Sequence, residues 1–280
     1  MKKYINLFLL LIMSSSLLFV SCDDDDSNND TDDDNHDSTE VEYFAMPLGS
    51  FRIMMNTDSD NAVNYDSVAV TSTETLKDSI EATVLTTYSS ETDGNFGETG
   101  TNNYYNHEDG QLFVNADFFT AQTTALSEIV DLGLSFENWY LVADENGTSW
   151  NIFTQPLQDK EINYANTYIL SITGDFTIDG KNDGLEDITV GGNIYSALKM
   201  TFTIGMTDAD ATYNNLLGKL NLNTEITNYF VDGIGIVKTV TSGANVNYTI
   251  NGVPVPLIDQ EIIGGSTTEM LRTNLPLLED

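Results

Sequence analysis

Apolar and polar residues along this chain alternate far more often than they recur at helical spacing. Between 194 and 204, Ile194, Leu198, Met200, Phe202 and Ile204 share one face, while Tyr195, Lys199, Thr201 and Thr203 share the other. Successive side chains of a strand point to opposite faces, so the stretch predicts a long strand with one buried and one wet face. Ile80, Ala82, Val84 and Tyr88 repeat the pattern, as do Phe51, Ile53 and Met55, and Val246, Tyr248 and Ile250. Only residues 121–132 carry the spacing of a short helix. Segments 139–143 and 149–153 flank Asp144-Glu145-Asn146-Gly147, whose Asn-Gly pair predicts a hairpin. Asp232-Gly233 predicts a turn with φ > 0 at Gly233, and Gly235 just beyond it marks a bulge or close backbone approach. Ser242-Gly243-Ala244-Asn245 predicts a further turn into 246–250. Successive short connections imply an antiparallel meander, since parallel strands need long crossovers.

The N-terminus follows a different pattern. Lys2 and Lys3 precede an apolar run over 4–20 that Ser14, Ser15 and Ser16 interrupt. It is shorter and more broken than the roughly 20 apolar residues of a membrane span, and predicts a signal peptide over 1–21. Phe19-Val20-Ser21-Cys22 resembles the lipobox of bacterial lipoproteins, with Phe19 in place of the usual leucine. The resemblance implies that Cys22 becomes the diacylglycerol-bearing first residue; the competing reading is a buried or redox-active thiol. Cys22 is the only cysteine among 280 residues, so no internal disulfide supports the fold.

Asp23, Asp24, Asp25 and Asp26 follow at once, and Asp30, Asp32, Asp33 and Asp34 continue the run. A segment with nothing to bury does not offset its chain entropy, so 22–42 is expected to be a disordered acidic tether. The Asp23–Asp26 run also resembles the export signal that some Gram-negative lineages place after the lipidated cysteine, which implies the lipoprotein export machinery as a partner. A plain linker and a calcium-collecting tract are the other readings. The last would need carboxylates converging on one ion, which a floppy chain does not pre-arrange.

Charge narrows the partners. Ten Lys and Arg against 44 Asp and Glu give a formal charge of −34. Nucleic acid is excluded, because its binding depends on cations neutralising phosphates. A basic patch for anionic lipid headgroups is excluded for the same reason. Contact with the membrane is expected through the lipid anchor alone.

Three blocks within 43–280, expected as a single β-rich domain, resemble a lineage of largely uncharacterised bacterial lipoprotein domains. The opening block is Tyr43-Phe44-Ala45-Met46-Pro47-Leu48-Gly49-Ser50-Phe51-Arg52-Ile53-Met54, with Arg52 and Met54 where that lineage has tryptophan and tyrosine. The middle block is Thr189-Val190-Gly191-Gly192-Asn193-Ile194-Tyr195-Ser196-Ala197-Leu198-Lys199-Met200, with Asn193 at the turn glycine. Asn tolerates φ > 0 best among the other residues, so the turn is expected to survive there. The closing block is Phe230-Val231-Asp232-Gly233-Ile234-Gly235-Ile236-Val237-Lys238. The resemblance implies an all-β fold: one strongly curved antiparallel sheet, a half-barrel-like meander related to lipoprotein carriers, with at most one short helix.

Candidate chemistry is sparse. His36 lies in the tether, and His107 sits in a loop-like stretch with no G-x-S-x-G elbow beside it. No cofactor and no zinc site are expected, since lipidation takes the one thiol. Asp179, Asp183 and Asp187 resemble part of a D-x-D-x-D-G calcium loop, but Lys181 fills a ligand position and Val190 stands at position twelve. The plainer reading is a polar hairpin loop. Trp139 and Trp150 are expected as cross-strand packing or, less simply, a glycan platform. Together these features predict a lipid-anchored, surface-exposed outer-membrane lipoprotein: a non-catalytic binding or envelope-accessory module for an apolar or glycan ligand. The alternative is a carboxylate-dependent glycan hydrolase, needing two acids at the right separation.

Overall fold

The computed structural model describes residues 42–275, apart from 45, 77–78, 98–99, 121–131, 165–167 and 256–259. The signal peptide, Cys22, the Asp23–Asp26 run and nearly all of the expected helix and tether lie outside the described residues. Residues 116–120, just before that stretch, are helical.

Strands account for most of the rest. The first group is β1 (Phe51–Asp58), β2 (Val63–Thr75), β3 (Glu81–Ser90), β4 (Thr101–Glu108), β5 (Gln111–Asn115) and β6 (Trp139–Asp144). The second is β7 (Ser149–Tyr164), β8 (Tyr168–Val190), β9 (Asn193–Tyr213), β10 (Leu216–Val231) and β11 (Gly235–Thr241). Four shorter strands follow: β12 (Ala244–Ile250), β13 (Val253–Pro254), β14 (Gln260–Ile263) and β15 (Ser266–Thr273). All belong to one antiparallel sheet with the main order β6-β5-β4-β3-β2-β1-β15-β11-β10-β9-β8-β7.

That order dictates the shape. Twelve strands laid flat would set β6 and β7 about 50 Å apart, at roughly 4.8 Å per strand. Yet only residues 145–148 join them, and such a link reaches less than about 20 Å. The sheet therefore curls until its two ends meet, and the half-barrel expected from sequence is a nearly closed barrel.

The seam is not a ladder. Each of β6 and β7 pairs on its other side, β6 with β5 and β7 with β8. Asp144-Glu145-Asn146-Gly147 is thus no hairpin turn, although Asp144 Oδ1 accepts from the amides of Asn146 and Gly147 as an Asx turn does. Side chains bridge the gap instead. Trp150 Nε1 donates to Leu141 O at 2.9 Å, and Asn182 Nδ2 donates to Glu145 O at 2.9 Å and Asp144 O at 3.2 Å.

Other connections follow the sequence more closely. Four two-residue hairpin turns have both central residues at φ > 0: Asp109-Gly110, Gly191-Gly192, Asn214-Asn215 and Asn251-Gly252. Asn193 is therefore not the left-handed turn residue; it is the first residue of β9 and pairs with Val190. Two glycines already supply the turn, so the asparagine is pushed into the strand. Gly233, at φ +66, lies in the turn between β10 and β11, and Gly235, at φ +84, opens β11 opposite Val231. The Ser242–Asn245 turn does not form. β11 and β12 both run antiparallel to β10, beside 226–231 and 219–223, so the chain only kinks at 242–243. There Ser242 N donates to Glu225 O and Ser242 Oγ accepts from Glu225 N, both at 2.8 Å.

The main core fills the curl. Leu112, Leu170, Phe176, Met200, Phe230 and Tyr248 bring β5, β8, β9, β10 and β12 together. A second cluster joins Met54, Leu85, Ile188, Val190, Val237 and Met270, where the far half of the β8–β9 hairpin packs beside β15. In β9, Leu198, Met200 and Phe202 are buried as their alternation predicts, but Ile194 is 74% exposed at the hairpin tip.

Candidate functional site

β1 presents an unexpected face to the interior. Phe51 is exposed, and the residues aligned with the core are Arg52 and Met54 rather than Met55. A shift of one residue exchanges the two faces of a strand. Ile53 is also buried, on the opposite face, so the apolar pattern alone does not reveal which side of β1 is the interior.

Arg52 is only 9% exposed. Its placement answers a break in the sheet. β11 meets β15 only from Lys238 to Thr241, leaving the start of β11 without a ladder on that side. The Arg52 Nη1 group donates to Ile234 O at 2.8 Å and more loosely to Ile236 O at 3.5 Å. Among the described residues no carboxylate pairs with it.

Arg52 also lines a cavity of about 50 Å³. Phe44, Met54, Val68, Leu112 and Phe230 supply most of its apolar wall, and Thr87, Asn103 and Tyr105 add polar atoms from β3 and β4. Burial lowers Arg52 to about 10, with Tyr105 opposing the shift, so it stays charged at neutral pH. Burial raises the Tyr105 hydroxyl to about 12, offset in part by Arg52, so it stays neutral. The cavity thus holds one permanent positive charge.

Phe44 and Met46 cover this cavity as a strap that is tied down at Glu42. Glu42 N donates to Asp232 Oδ1 at 2.6 Å, and Gly233 N donates to Glu42 O at 3.0 Å. Phe44, 2% exposed, meets Phe230 and His107 edge-on at centroid distances of 5.0 and 5.7 Å. His107 lies 3.6 Å from Glu42. It stands in β4 opposite Leu112, not in the loop its sequence suggests; the turn is Asp109-Gly110.

A second polar feature crosses the same face. Asn228 on β10, Thr239 on β11, Thr268 on β15, Asn56 on β1, Asp66 on β2 and Ser89 on β3 stand in register as direct or near neighbours. Thr239 Oγ1 donates to Asn228 Oδ1 at 2.7 Å, Thr268 Oγ1 to Asn56 Oδ1 at 2.6 Å, and Asn56 Nδ2 to Asp66 Oδ2. Asp66 is the only buried carboxylate among the described residues, and its Oδ1 has no partner there. Burial raises its pKa to about 6, against the opposing hydrogen bonds of Ser89 and Asn56.

The acids singled out in sequence do not converge. Asp179, Asp183 and Asp187 lie within the continuous strand β8, not in a loop. At about 3.3 Å per residue, Asp179 and Asp187 stand roughly 26 Å apart, too far to share an ion. Asp179 accepts from Asn151 Nδ2 at 2.8 Å, while Asp183 is engaged by Lys181 and Thr201. No group of three or more His, Cys, Asp or Glu able to hold a metal occurs among the described residues. Trp139 and Trp150 sit on the two sides of the seam. The Trp150 indole lies against Gly180, where a Cβ would collide with the ring. Sequence marks Arg52 only as a substitution within the opening block and does not mark Tyr105 or Asp66, because their signal, a polar residue at an inward position, emerges only once register is known.

No family model and no curated protein matches the chain. Solved structures similar to it include a candidate lipoprotein of Parabacteroides distasonis ATCC 8503, 14% identical with a TM-score of 0.44. Another is a candidate exported protein with a YmcC-like fold from Bacteroides fragilis NCTC 9343, 11% identical with a TM-score of 0.42. In each case the match covers 84% of this chain and 99% of the other.

Proposed function

We propose that this chain is a lipid-anchored outer-membrane lipoprotein, displayed at the cell surface, whose barrel is a non-catalytic binding module. An apolar ligand suits it better than a glycan. The observation that carries this reading is the mostly apolar cavity beneath Phe44 and Met46, with a few polar residues in its lining. Apolar walls with a small number of placed polar atoms are the usual make-up of a ligand site. A carboxylate-dependent hydrolase would need two acids projecting into one cleft, and none of the described residues lining this cavity is an acid.

Mass spectrometry of the natively expressed, gently purified protein tests the reading. A small apolar molecule should co-purify with the parent protein and be lost from Leu112→Trp, which fills the cavity. Ligand-free parent protein, or a ligand retained in full by Leu112→Trp, would overturn it.

A further inference from the structure

We propose that Arg52 anchors a carboxylate-binding site: the cavity receives the acid head of a small apolar monocarboxylic acid. This rests on the binding-module reading and specifies its ligand. A guanidinium carries five N–H donors. Those on Nη1 serve Ile234 O and Ile236 O, while the donors on Nε and Nη2 have no partner among the described residues. Donors that no described residue accepts thus belong to a buried cation lining the cavity.

Charge selects the ligand class. A lone cation in apolar surroundings is unfavourable until an anion pairs with it. One positive charge balances one carboxylate, whereas a phosphate dianion would leave a negative charge uncompensated in the same apolar wall. A carboxylate also presents two oxygens in the plane that a guanidinium fork matches. Asn103, Thr87 and the neutral Tyr105 hydroxyl add polar atoms beside it.

Size limits the acid. At roughly 10–15 Å³ of such space per water, the cavity holds a headgroup and little more. The apolar body of the ligand must then take the place of Phe44 or Met46, the cavity-lining residues of the strap. A short acid that displaces one strap side chain fits; a long acyl chain does not.

The test uses the full chain in phosphatidylcholine nanodiscs, titrated calorimetrically with hexanoate, hexanamide and hexyl phosphate against empty discs. Hexanoate should bind one to one, at least tenfold tighter than its neutral isostere hexanamide and tighter than hexyl phosphate. Arg52→Gln should erase the preference for hexanoate over hexanamide. The comparison of the three ligands on the parent protein stands even if Arg52→Gln does not fold. Equal binding of hexanoate and hexanamide would overturn the carboxylate assignment while leaving an apolar site standing. Tighter hexyl phosphate, no hexanoate binding, or a preference that survives Arg52→Gln would overturn it as well.

Discussion

Two glycines show how differently one residue type can be constrained. Gly233 has φ +66 and open space where a Cβ would go, so a side chain there meets only backbone strain. Gly205, at φ +146 in β9, lies against the backbone carbonyl of Leu222, with which a Cβ would collide. Gly233→Val should therefore lower stability by about 1–3 kcal/mol, whereas Gly205→Val should lose more than about 4 kcal/mol. Urea denaturation of both variants checks the order, and equal losses would mean that β9 and β10 yield at Gly205. Asp66 adds a pH dependence. Its folded-state pKa is about 6 against an ordinary 3.8, because burial disfavours the charged form. The folded protein thus holds this proton more tightly than the unfolded chain. Its contribution is fully present below about pH 4 and lost as pH rises through about 6. A shift of about two units corresponds to ~3 kcal/mol. The stability of the parent minus that of Asp66→Asn should fall by that order between pH 4 and pH 7. Taking the difference cancels the many surface acids, and a flat difference would mean that Asp66 ionises as it does in water.

At the scale of elements, the seam is where the barrel depends on side chains instead of a ladder. Asn182 holds it by donating to two carbonyls at the end of β6. Asn182→Leu should leave the β8–β9 ladder intact while amide exchange accelerates in β6, and should cost about 1–3 kcal/mol for the lost bonds. Exchange that speeds up equally in β9 would point to a global loss and away from the seam. The same element shows why some of the fold was legible in sequence. β9 declares itself through Leu198, Met200 and Phe202, because one of its faces is dry and the other is wet. β1 misleads because Ile53 and Met54 are buried on opposite faces, and alternation carries no signal when both sides are covered. The Asn146-Gly147 pair does make a turn, but nothing in four residues says whether the flanking strands pair with each other or with strands further off. That follows from where β7 and β8 lie in the sheet. β8 was missed as a single strand because Asp179, Asp183 and Gly184 have the composition of a loop. Its bulge between Asn182 and Gly184 absorbs the glycine without ending the strand. Arg52 is visible in sequence as a departure from the block that its segment resembles, but its use follows from the short β11–β15 ladder, which no local pattern encodes.

The whole molecule joins a β-barrel to a chain that enters it at the cavity. Residue 42 is tied to the β10–β11 turn, and Phe44 two residues later covers the interior. The acidic run over 23–34 offers little apolar surface to bury, so the anchor and the acidic run should be separable from folding. Cys22→Ser would remove the proposed acyl acceptor, while alanines at Asp23, Asp24, Asp25 and Asp26 would keep it and remove the charge next to it. Both variants should melt at the temperature of the parent. They should differ in place. Cys22→Ser should leave the detergent phase on phase partitioning, since acyl chains at about 0.8 kcal/mol per buried CH₂ supply the membrane affinity. The alanine variant should stay in the detergent phase but resist protease added to intact cells, because it remains anchored without reaching the outer face. Shaving equal to the parent would reduce the aspartates to a plain linker, and a Cys22→Ser protein still processed and detergent-soluble would remove the lipid anchor.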